Sequence, residues 1–185
     1  MSEEYIIRHC APTLAGLKTA NMFTYRYDDI SEVLESLRAW NKILSKKGMR
    51  VIPLSVGDGK VIVYLYRVDS LKNDLSDNKA ARLLNSLGYE SDNPNKCLHE
   101  LRKNLNNCVS GTFPHEIGLF LGYPPDDVLG FIEKKKTAYE LVGNWKVYSN
   151  PEEAQRKFNQ YRKCTDIYGK LWRDGVSIGK LAVKS

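Results

Sequence analysis

Two short stretches carry the residue types best suited to chemistry: "RHCAPTLAGLK" from residue 8 and "FPHEIGLFLGYP" from residue 113. In the first, a helix entered at Pro12 would leave Cys10 just ahead of its N-terminus, where the dipole lowers a thiol pKa and favours a nucleophilic or oxidisable thiolate. His9 adjoins it in sequence, and Lys18 follows about two helical turns on. In the second, Pro114 pre-sets a first helical turn, which places His115 among unpaired backbone N–H groups, with Glu116 next. A positive helix end disfavours imidazolium, so a neutral His115 is suited to act as a base or to hold a ligand. Cys10 and His115 are therefore the catalytic candidates. A Cys–His nucleophile needs a partner brought from elsewhere in the chain, and for Cys10 that partner is His115 or Cys164. Both residues also have a plain structural reading: Cys10 as a small buried hydrophobe, His115 as a hydrogen-bond partner of a neighbouring loop.

Other chemistries find less support. Cys10, Cys97, Cys108 and Cys164 are scattered, with no C-x-x-C pair to suggest a zinc clip or a thioredoxin-like centre. Cys97, His99, Cys108 and His115 have metal-ligand chemistry, but residues two apart on a helix point in different directions, so no metal site is predicted. No phosphate loop, dinucleotide fingerprint, paired-carboxylate site or complete triad can be read from the spacing. Cofactor and oligomeric state stay unassigned.

The elements that must position these residues follow from periodicity. SEEYIIRHC reads as a short helix, and a second helix is expected to begin at APTLAGLK. NMFTYRY reads as a strand. DDISEVLESLRAWNKILSKKG is the clearest helix, with Ile30, Val33, Leu34, Leu37, Trp40, Ile43 and Leu44 in one stripe and Gly48 as its stop. MRVIPLSVGDGKVIVYLYRV predicts a hairpin turning at Gly57-Asp58-Gly59, with Pro53 marking its first strand as an edge. Residues 70–107 predict three short helices broken at Asp77 and near 91–94, followed by two helices over 113–135 and a strand at GNWKVYS. The last helix, about 151–173, places Ala154, Phe158, Tyr161, Thr165, Tyr168 and Trp172 on one face and Arg156, Lys157, Lys163 and Lys170 on the other. Together these predict an α+β fold, a small mostly antiparallel sheet packed by helices, in a single domain over 1–185.

Composition narrows the function classes. Hydrophobic residues at 42% and charged residues at 27% are ordinary for globular chains, and no segment approaches the roughly 20 apolar residues of a membrane span. The start, MSEEYIIRHC, carries acids where an export signal carries bases, so a cytoplasmic address is expected. The net charge of +6 is uneven: residues 134–185 hold 12 Lys+Arg against 5 Asp+Glu. Such a surplus suits a polyanion partner, although no aromatic-basic nucleic-acid motif accompanies it. In EIGLFLGYPPDDV the small Gly118 and Gly122 have the spacing of a close helical hairpin like the helix-turn-helix. A reading helix built from Asp126, Asp127 and Glu133 would repel phosphates, which argues against nucleic acid and leaves the Lys134–Lys136 run as a complement to the helix dipole.

HCAPTLAGLKTAN at 9–21, FPHEIGLFLGYPPDDVLGFI at 113–132, GNWKVY at 143–148 and the helix of Cys164 together resemble a domain-of-unknown-function family of anaerobic Firmicutes, over nearly the whole chain. The resemblance implies a stand-alone bacterial protein and places His9, Cys10, Lys18, Pro114, His115, Glu116, Trp145, Lys146, Tyr148 and Cys164 within the family's motifs. It brings no activity. The expectation drawn from these residues is a pocket for a small-molecule ligand, with Cys10 as reactive or ligating thiol, His115 as base or second ligand, and Lys18 or Lys146 holding an anion. His9, Glu116, Tyr148 and Cys164 complete the binding candidates. The chemistry is redox, metal or haem binding, or acyl-type transfer. Two alternatives stand beside it: a regulatory or scaffolding module that binds nucleic acid or an acidic partner through the basic last helix, and an interaction domain with no active site.

Overall fold

The computed structural model describes residues 1–108, 113–134 and 139–184. Lys135 and Lys136 of the basic run lie outside them. The chain divides into two compact units, Met1–Ser70 with Lys163–Ser185, and Leu71–Arg162. Both crossings fall within helices. The class is α+β, as the alternation of periodicities predicts.

The first unit opens with one helix, α1 (Glu3–Leu14), where the sequence suggested two. Ser2 caps it by accepting from the Glu4 amide at 3.1 Å. Pro12 does not start a helix; it sits in the last turn of this one. The missing N–H removes a single bond to a carbonyl one turn back, close to where the helix ends anyway. The Leu17 and Lys18 amides then both donate to the Pro12 carbonyl, and Gly16, at φ +77°, turns the chain away.

The strands are β1 (Ala20–Arg26), β2 (Met49–Gly57) and β3 (Lys60–Arg67), antiparallel in the order β1-β3-β2. β2 and β3 turn at Asp58-Gly59, where φ is +49° and +66°, the conformation that suits the right-handed twist of a two-residue hairpin. Pro53 lies on the edge strand β2 beside a register shift, as its lack of a backbone donor demands. α2 (Ile30–Leu44) is capped by Asp29 and buries Val33, Leu37, Trp40 and Leu44. Its Asn41 side chain stands in for a neighbouring strand, donating to the Val51 carbonyl at 2.7 Å and accepting from the Val51 amide at 3.0 Å. Phe23, Val51, Val61, Val63 and Leu65 pack with α1, α2 and a short helix, α9 (Ile178–Leu181), as one core.

The second unit begins within α3 (Val68–Leu75), which with α4 (Asn78–Ser86) and α5 (Pro94–Asn106) makes the three short helices expected, α4 and α5 capped by Asp77 and Asn93. α6 (Ile117–Phe120) and α7 (Pro125–Lys134) form the helical hairpin. A methyl carbon at Gly118 would stand 2.8 Å from Val128, so the hairpin closes only because the residue is small. The strand expected at GNWKVYS is instead a two-residue ladder, β4 (Leu141–Val142) with β5 (Lys146–Val147), since the chain doubles back at Gly143-Asn144. α8 (Pro151–Arg173) matches the long final periodicity. Among the described residues no helix is long and apolar enough to cross a membrane.

One side chain ties the ends of the first unit together. Arg67, at the end of β3 and 4% exposed, donates to the carbonyls of Thr13 and Leu14 at 2.7 and 2.9 Å, and to that of Val183 at 2.8 Å. It satisfies the last carbonyls of α1 and holds the returning C-terminal segment, whose Val183 amide donates back to Leu14. Arg67→Met is expected to leave buried carbonyls unsatisfied and to cost about 3 kcal/mol of stability, measured as a fall in the urea midpoint at unchanged slope.

Candidate functional site

The helix register reverses the argument made for Cys10. The thiol lies inside α1, a turn from its C-terminal end, and is fully buried. The dipole there opposes a thiolate, and burial pushes the Cys10 pKa far up, with Lys18 only partly offsetting it. Lys18 shares this interior at 6% exposed, and burial pushes its ammonium down to about 8. Cys10 and Lys18, expected in one pocket, therefore share the interior, as a neutral thiol near a lysine that burial makes easier to deprotonate. His9 faces outward from the same helix, stacked on Phe23 at 5.0 Å and against Tyr5 at 6.3 Å. Cys164, on α8 in the first unit, is buried, which raises its thiol to about 11.

His115 and Glu116 belong to the second unit, where four segments meet around a cleft of about 380 Å³. Leu87 from the end of α4, Asn104 and Asn107 from the end of α5, Cys108 just beyond it and Ile132 on α7 line the cleft. The 113–116 segment closes it with Phe113, Pro114, His115 and Glu116. α6 begins only at Ile117, so His115 is a turn residue and not the first residue of a helix. Its ring is held edge-on to Phe131 at 4.8 Å and tilted against Phe113 at 6.3 Å. Glu116 is 8% exposed and accepts from the Tyr89 hydroxyl at 2.6 Å. That hydroxyl in turn accepts from the Asn104 side chain at 3.0 Å. Burial, reinforced by the bond to Glu116, pushes the Tyr89 pKa far up, so the proton stays on Tyr89 and Glu116 is the acceptor.

Lys146 and Tyr148, from the β4–β5 segment, support this wall from behind. The Lys146 ammonium lies 4.5 Å from the Tyr139 ring centre and 5.8 Å from that of Phe131, the ring that also holds His115. The Tyr148 ring packs on Gly130, where any side chain would collide with it. Its amide, at 2.8 Å, and the Ser149 amide and hydroxyl donate to one oxygen of Asp127. The other oxygen accepts from the Trp145 indole at 2.7 Å. Asp127, placed by sequence on a surface that phosphates would avoid, is 2% exposed and clamps α7 to the 145–149 segment.

Tyr89, between α4 and α5, and Asn104 and Asn107, at the end of α5, carry no sequence signal beyond the amphipathic pattern of the flanking helices. Cys108 was weighed only as a metal ligand. Among the described residues no three His, Cys, Asp or Glu side chains lie together as a metal would require.

A family model described as "Protein of unknown function (DUF3793)" matches residues 6–182. No curated protein and no solved structure matches the chain.

The thiols and Lys18 yield two expectations. With iodoacetamide on the native protein, Cys108 is expected to react at least roughly tenfold faster than buried Cys10, measured by mass spectrometry of each cysteine peptide. Lys18, near 10.5 in the unfolded chain, is pushed down to about 8 when folded, so between these pH values the unfolded state holds a proton that the folded state has lost. Stability from this group therefore rises with pH across that window. Below it the full penalty is present, and Lys18→Met is expected to exceed wild type by about 3 kcal/mol at pH 7, the gap closing toward pH 10 in urea melts.

Proposed function

The chain is a member of that family, and on that premise we propose that it binds a small organic molecule in the cleft of its second unit, oriented by Glu116 and His115. One observation carries the reading: a buried carboxylate, held by a tyrosine–asparagine relay, lines an open cavity of about 380 Å³. That volume lies within the range of small-ligand sites, which pair apolar walls with a few convergent polar groups. Leu87, Phe113 and Ile132 supply the walls, and Asn104, Asn107, His115 and Glu116 the polar groups. The Tyr89 and Asn104 bonds fix the direction of the carboxylate before a ligand arrives, which lowers the ordering cost of binding.

The thiol of this site is Cys108, half-buried on the cleft wall, in place of Cys10. A cytoplasmic setting, expected from the sequence, would keep it reduced and available for covalent capture of an electrophilic ligand. The alternative partner surface, the outer face of α8, interleaves Arg156, Arg162, Lys163 and Lys170 with Glu152, Glu153 and Asp166, and Lys157 is already paired with Glu153 at 3.0 Å. That mixture favours the cleft over a polyanion surface.

A fragment screen by backbone-amide NMR tests the reading. Binders are expected to shift the amides of residues 104–108 and 113–117, to be excluded when Cys108 carries N-ethylmaleimide, and to weaken by about five- to tenfold in His115→Ala. Hits confined to other surfaces, or hits indifferent to the modified Cys108, would overturn it.

A further inference from the structure

Glu116 shows what the cleft should hold. Buried carboxylates are ordinarily paired with a cation or saturated with donors, because desolvation of an uncompensated charge is expensive. The second unit contains such a saturated case in Asp127, which receives four hydrogen bonds on its two oxygens. Glu116 is similarly buried, at 8% exposed, yet among the described residues its side chain takes one hydrogen bond, from the Tyr89 hydroxyl, on one oxygen. Among the described residues no lysine or arginine forms an ion pair with it, and none lines the cleft. The Tyr89–Asn104 relay is itself internally satisfied, so the carboxylate is left as the acceptor facing the cavity. Beside it the neutral amides of Asn104 and Asn107 offer further carbonyl acceptors, and the Phe113 ring, 42% exposed, presents an aromatic face. Aromatic faces attract cations, and charge-assisted bonds to a carboxylate are the stronger class of hydrogen bond.

Resting on the reading of the cleft as a ligand site, we infer that its ligand is an organic ammonium carrying a short apolar or aromatic group. The ammonium donates to Glu116 and the side-chain carbonyls, and the apolar group lies against Phe113, Leu87 and Ile132.

Three probes of one shape test the charge: benzylamine, which is an ammonium at pH 7, benzyl alcohol and benzoate, titrated into the wild-type protein and followed by backbone-amide NMR. Benzylammonium is expected to shift residues 104–108 and 113–117 with a Kd at least about tenfold below that of benzyl alcohol, and benzoate is expected to bind weakest. Glu116→Gln should abolish the preference for the ammonium while benzyl alcohol still binds. If that variant does not fold, the ranking of the three probes on wild type decides alone. Equal binding of benzylammonium and benzyl alcohol in the cleft, or tighter binding of benzoate, overturns the ammonium inference and leaves the cleft standing. No shift in the cleft with any of the three defeats the ammonium inference, whereas the cleft itself then stands or falls with the fragment screen.

Discussion

The first unit depends on a buried guanidinium. Arg67 sits at the end of β3, and its donors reach carbonyls at the end of α1 and in the returning C-terminal segment. A helix C-terminus leaves carbonyls without partners, and an interior location denies them water. A planar side chain with several fixed donors can meet them together, which a lysine's single ammonium does less well. The same interior explains the neighbouring chemistry. Burial that leaves polar groups without water also acts on Lys18, whose ammonium it pushes down to about 8.

Two buried carboxylates in the second unit differ in how fully they are satisfied. Asp127 is closed: both oxygens are engaged, the groups that engage them come from residues 145–149, and the result is a clamp on α7. Glu116 lines the cleft, and among the described residues the hydrogen bond to its side chain comes from a relay that orients it without neutralising it. The two residues are alike in type and depth. Only their partners differ, and it is the incompletely partnered one that lines a cavity. The helical hairpin between them, closed by the small Gly118 against Val128, serves both by keeping the 113–116 turn and α7 in fixed register.

Cysteine chemistry in this chain illustrates the weight of helix register. Cys10 ahead of a helix would have been a low-pKa thiol, whereas Cys10 inside the end of one is buried in the core with its pKa pushed far up. The difference turns on whether Pro12 begins a helix or is tolerated in its last turn. Both placements satisfy the local rules for proline, and the apolar run of Ile6, Ile7, Cys10 and Leu14 against the sheet decides for the second.

Much of the fold was legible because its signals are local. The stripe of α2, the Asp-Gly turn between β2 and β3, the helix breaks at Asp77 and near 91–94 and the edge position of Pro53 each follow from backbone sterics and hydrogen bonding within a few residues. His115 and Glu116 were legible as candidates for the same reason, since proline and histidine at a turn stand out in a line of text. Their setting was not. Tyr89 reaches Glu116 from 27 residues away in sequence, Asn104 reaches Tyr89 from 15, and Arg67 meets a carbonyl 116 residues distant. What the sequence by itself determined is which segments are helix or strand and which residue types are available for chemistry. The tertiary structure alone decided which of those residues are buried, which are already satisfied and which face a cavity, because desolvation and hydrogen-bond completion depend on neighbours that chain connectivity does not specify.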